Sequence, residues 1–173
     1  MTEDNLIDEL LHISGKKAVL KIIEDLQYNT VAIDQIYTLT KHSNIKVKWR
    51  AAWVFEHLYF LKKDDLQHYL PDIIERLPNE VSDGNKRHFS KIISFSDVNN
   101  MINGDFINTC FNWLMSENIP VAVKAHCMQI LYNVCKEYPD LKGELIEVIE
   151  SQIDNNSAGF KSRGRKIINA LNK

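Results

Sequence analysis

Residues 48–59 read KWRAAWVFEHLY, and the spacing of the apolar side chains in and around this stretch decides the fold. Val47, Ala51, Val54 and Leu58 recur at intervals of three and four, which returns each side chain to one face of an α-helix. Trp49, Trp53 and Phe60 make a second apolar stripe beside the first. A helix with two such stripes is expected to pack against neighbours on both sides.

The same stretch recurs along the chain. Lys48, Lys86 and Lys124 stand 38 residues apart, and Lys161 follows after 37. Four residues before three of these lysines is a helix-capping residue, namely Asn44, Ser82 and Ser157, and Pro120 holds the equivalent place before Lys124. Six residues after each lysine comes an aliphatic side chain (Val54, Ile92, Ile130, Ile167), followed by Phe55, Ile93, Leu131 and Ile168. Arg50, His88, His126 and Arg163 share one polar column of the repeat. Intervening segments repeat as well: Ile33, Ile36 and Tyr37 are followed 37 residues later by Leu70, Ile73 and Ile74, and after another 37 by Ile107, Cys110 and Phe111.

The pattern predicts helices over 3–13, 15–27, 30–41, 46–62, 65–77, 84–96, 104–117, 120–137, 140–154 and 159–171, with no β-alternation between them. These form about four helical hairpins plus a lone last helix. Each hairpin leaves an apolar face that only a stacked neighbour can cover, so the expected architecture is an all-α solenoid, one domain over residues 1–173.

Composition narrows the class further. Apolar residues are 45% and charged residues 25% of the 173, which fits a globular protein and suggests neither disorder nor a membrane protein. Runs such as Ala51 to Phe55 are too short to span a bilayer. An acidic N-terminus, Met-Thr-Glu-Asp-Asn, does not resemble a secretory signal, and a cytoplasmic protein is expected. Cys110, Cys127 and Cys135 have no CxxC spacing and are expected as buried free thiols. A formal charge of −2 argues against bulk attraction to nucleic acid.

The pattern Val47-Lys48-x-x-Ala51, repeated more loosely as Val123-Lys124-Ala125, resembles the start of the first helix of a HEAT repeat. The strings KWRAAWVFEHLY (48–59), CFNWL (110–114), VAVKAHCMQILYNVCKEY (121–138) and SAGFKSRGRKI (157–167) are similar to a family of small bacterial HEAT-like proteins of unknown function. Members of that family sometimes carry the label adenylosuccinate lyase. The signature loop of those lyases, ending Met-Pro-x-Lys-x-Asn-Pro, has no counterpart in this sequence.

No catalytic, cofactor or metal site is expected. His12, His42, His57, His68, His88 and His126 show no zinc-ligand spacing, and phosphate loops and nucleophile elbows are absent. Glu56 and His57 beside Trp53 admit an alternative reading, a nucleic-acid-binding or base-processing protein resembling the HEAT-like DNA alkylation-repeat glycosylases. Core packing of the tryptophan stripe is the simpler reading. Ala51, Ala52, Ala122 and Ala125 permit close helix approach.

Charge supplies two candidate surfaces. Lys161, Arg163, Arg165 and Lys166 crowd a glycine-containing helix start, which favours an anion unless they pair with Glu144, Glu147 or Asp154 on the preceding helix. More broadly, the first helices of the hairpins sum to +12 and the second helices, counted over 30–41, 64–77, 104–117 and 140–154, to −9. In HEAT-like arrays the second helices line the concave side, so the resemblance implies a groove bearing Asp72, Glu75, Asp105, Glu144 and Glu147. Such a groove repels phosphate, and the expected function is a non-catalytic protein-binding module or scaffold for a basic or neutral polypeptide.

Overall fold

The computed structural model describes residues 2–173, and among these it is all-helical, with no strand. The helices are α1 (Glu3–Leu11), α2 (Lys16–Leu26), α3 (Thr30–Leu39), α4 (Ile45–Leu61), α5 (Lys63–Leu66), α6 (Leu70–Arg76), α7 (Asp83–Ser94), α8 (Gly104–Met115), α9 (Val121–Val134), α10 (Lys142–Ile153) and α11 (Ala158–Leu171). Their starts are set by local chemistry. The side chains of Asn44, Asn103 and Ser157 accept backbone N–H groups of the first turns of α4, α8 and α11, and Ser82 does the same for Asn85 at the start of α7. Pro120 stands at the N-cap of α9 without a side-chain bond, where its missing N–H costs nothing.

One expected helix is interrupted. The segment predicted as continuous over 65–77 divides into α5, a short 3₁₀ turn over Gln67–Tyr69 and α6. Pro71 is the cause, since a proline cannot donate to the carbonyl four residues back and its ring crowds that carbonyl. It sits instead in the first turn of α6, where neither penalty applies.

The described chain forms two compact units, each a stack of helical hairpins. The first runs to Leu70 and adds Asn79–Ile92; the second comprises Pro71–Pro78 and Ile93–Lys173. In the first unit α4 is central and packs on α1, α2 and α3. Val47, Ala51, Val54, Phe55, Leu58 and Tyr59 on α4 are all fully buried. The Phe55 ring lies 4.7 Å from that of Tyr37 and 5.1 Å, edge-on, from that of Tyr69. In the second unit α9 holds the equivalent place, between α8 and α11 with α10 alongside. It buries Val123, Cys127, Met128, Ile130, Leu131 and Val134. The three cysteines are free and buried.

Two glycines permit the tightest approaches. A Cβ at Gly84 would stand 2.5 Å from Cβ of Trp49, so α7 reaches α4 only because that position has no side chain. A Cβ at Gly164 on α11 would stand 2.7 Å from Cγ2 of Ile149 on α10. The expected second core stripe on α4 is only partly covered, because Trp49 and Trp53 are half-buried and Phe60 is exposed. The two indoles stack on each other at 5.9 Å, and Trp53 stacks on His88 at 6.3 Å. No helix among the described residues is long and apolar enough to cross a membrane.

Candidate functional site

The polar column of the repeat ties each first helix to an earlier element. In the first unit Arg50 Nη1 donates to the carbonyls of Leu10 and Leu11 at 3.0 and 2.7 Å, and His88 Nδ1 is 2.5 Å from Glu56 Oε2. In the second unit His126 Nδ1 is 3.3 Å from Ser94 Oγ, while Arg163 Nη1 donates to Gln129 Oε1 at 3.1 Å. Glu56 and Ser94, the partners of the two histidines, are themselves 38 residues apart. The column is a recurrent clasp between stacked helices, and its histidines are committed to it.

Glu56 is 3% exposed and is also held by the ammonium of Lys91, which lies 5.3 Å from the centre of the Phe60 ring. Burial alone would raise its carboxyl, but hydrogen bonds from His88 and Lys91 and their charges outweigh it and hold the group below the ordinary carboxylate range. A carboxylate occupied in this way is a buried structural anion. A second cluster was not visible in the sequence pattern. Glu80 accepts the backbone N–H groups of Val81 and Ser82 and the Asn85 amide, each at 2.9 Å, and Lys48 Nζ lies 3.6 Å away. Here too burial would raise the carboxyl and these partners lower it.

The five acidic residues picked out in the sequence all fall in the second unit, on α6 (Asp72, Glu75), α8 (Asp105) and α10 (Glu144, Glu147). Asp72 pairs with Arg76 on its own helix at 3.4 Å. Glu75, Asp105, Glu144 and Glu147 are exposed, and among the described residues none of these four forms an ion pair. Glu75 and Asp105 line one cleft of about 430 Å³ between α6 and α8, together with Pro71, Ile74, Pro78, Met101, Asn103, Phe106 and Thr109. Glu144 and Glu147 lie on α10, which packs against α8. The apolar members of this cleft were missed in the sequence because periodicity marks Ile74 simply as core and Pro78 and Met101 lie outside the predicted helices.

The basic segment diverges. Lys161 Nζ donates to the backbone carbonyl of Asp154 at 3.1 Å, Arg163 turns to Gln129 on α9, and Arg165 and Lys166 are exposed. The four cations therefore do not converge on one point, and Lys161 pairs with a carbonyl of Asp154 where a carboxylate was the alternative expected. Gly164, at the centre of this segment, serves the packing of α11 on α10. Among the described residues no group of three His, Cys, Asp or Glu side chains is placed to hold a metal ion.

No curated protein and no solved structure matches the chain. A family model described as HEAT repeat domain matches residues 6–171, almost the whole of the repeat array built above. HEAT repeats serve as repeat scaffolds and binding modules. With its repeat period, capped first helices and stacked hairpins, this all-α solenoid belongs to the HEAT repeat domain family.

Proposed function

We propose that residues 1–173 act as one non-catalytic binding domain whose acidic second helices capture a basic polypeptide. The observation that carries this reading is the exposure of Glu75, Asp105, Glu144 and Glu147 on α6, α8 and α10 of a single compact unit, without ion-pair partners among the described residues. Carboxylates that are neither buried nor paired contribute little to folding. Collected on adjacent helices they set up a local negative potential that speeds encounter with cations and disfavours phosphate.

The test is charge inversion. Glu144→Lys combined with Glu147→Lys should fold as the parent does, since both positions are exposed, and should lose polypeptide partners recovered by the tagged parent from its own cells. Retention of every partner by the double variant, or tight binding of duplex DNA by the unmodified protein at physiological salt, overturns the proposal.

A further inference from the structure

We infer that the cleft between α6 and α8 seats one apolar side chain of an extended polypeptide segment whose neighbouring residues are lysine or arginine. This specificity rests on the acidic-surface reading above and adds a shape-selective element to it. The cleft has a buried apolar floor, Ile74 and Phe106, an exposed apolar wall at Met101, and two exposed carboxylates at its edge, Glu75 and Asp105. Its occupant must therefore be apolar at the centre and cationic beside it.

Comparison with the equivalent cleft of the preceding repeat explains why this one is open. Leu66, His68 and Tyr69 line a cleft in the first unit with Ile33 and Asp34, and Asn103, Asp105 and Phe106 stand 37 residues after the first three. In the first cleft the Tyr69 hydroxyl donates to the Asp34 carboxylate across the opening, and only about 110 Å³ is left. In the second, Phe106 has no hydroxyl and Pro71 replaces the aspartate, so no clasp forms and about 430 Å³ opens. His68, at the edge of the closed cleft, is replaced by Asp105 at the edge of the open one. Two losses and one change of charge thus convert a sealed contact into an acidic apolar slot.

The placement of Glu75 supports a role outside folding. It lies in the last turn of α6, where the helix dipole favours a cation. Asp105, in the first turn of α8, gains from that helix's dipole, yet its carboxylate is exposed and unpaired among the described residues.

Fluorescence anisotropy with three labelled Gly/Ser peptides tests the inference: one with a central leucine flanked by lysines, one with serine in place of the leucine, and one with glutamates in place of the lysines. The leucine–lysine peptide should bind about tenfold tighter than its serine counterpart, and the glutamate peptide should not bind. Thr109→Trp, which fills the cleft, and the pair Pro71→Asp with Phe106→Tyr, which rebuilds the clasp of the preceding repeat, should each abolish the preference for leucine and keep the dependence on lysine. If leucine and serine peptides bind the parent alike while lysine is still required, the slot is wrong and the acidic surface stands. If leucine is still preferred in both folded variants, the slot is likewise wrong. If no lysine peptide binds, the acidic surface fails and the slot with it.

Discussion

The imidazole of His88 on α7 and the carboxylate of Glu56 on α4 lie 2.5 Å apart, both buried. This contact and the Lys91 ammonium together hold the ionised form of Glu56 in the interior of the first unit. Glu56→Ala takes the carboxylate away from the buried His88 imidazole, and a loss of about 2–3 kcal/mol of stability is expected in urea unfolding. A loss below about 0.5 kcal/mol would mean that the three groups rehydrate freely.

The same cluster predicts a pH dependence. Glu56 and Glu80 both sit below their ordinary value of 4.5 in the folded protein. Between the depressed and the ordinary value the unfolded chain binds more protons, so the stabilisation is fully present above about pH 4.5 and is lost as pH falls through the folded values. Melting curves of the parent and of Glu56→Gln should therefore converge as pH is lowered below that point. A gap that stays constant down to about pH 3 would contradict the assignment.

Phe55 tests the core. It is fully buried against the rings of Tyr37 and Tyr69, and Phe55→Ala should cost on the order of 3–5 kcal/mol. Urea melts showing less than about 1 kcal/mol would place it outside the core.

The glycines give a test of opposite signs. Gly84→Ala forces a methyl group to within 2.5 Å of Cβ of Trp49 and should destabilise by about 1–3 kcal/mol. Gly143→Ala, in α10 with nothing within 4 Å of the added carbon, should stabilise by up to about 1 kcal/mol. Thermal melts that rank the two variants the other way would overturn the packing of α7 on α4.

How much of this was legible in the sequence depended on periodicity. The 37- and 38-residue spacings located nearly all the helices, the caps at Asn44, Ser82 and Ser157, and the polar column of Arg50, His88, His126 and Arg163. Within that column His88 and His126 meet the same position of the preceding helix, Glu56 and Ser94, whereas Arg50 and Arg163 reach other partners. What the pattern could not supply is where two repeats differ in three dimensions. Tyr69 and Phe106 are interchangeable as apolar helix residues, yet only the tyrosine hydroxyl can close its cleft onto Asp34. The basic cluster around Gly164 meets a related limit: charge density along the chain says nothing about direction, and Lys161 and Arg163 leave the helix toward different partners. The half-buried Trp49 and Trp53 show the same limit, since spacing identifies a stripe and not the extent of its cover.

The proposed function requires second helices that attract a cationic polypeptide and not a phosphate backbone. Calorimetric titration of the protein with an oligolysine peptide and, separately, with a short DNA duplex tests it most directly. The series runs from about 0.01 M to about 1 M salt, over which the screening length falls from about 30 Å to about 3 Å. Measurable oligolysine binding is expected at low salt, weakening steadily across the series and lost in Glu144→Lys/Glu147→Lys, with no binding of the duplex near physiological salt. Tight duplex binding under those conditions, or oligolysine binding indifferent to both salt and the double substitution, would contradict it.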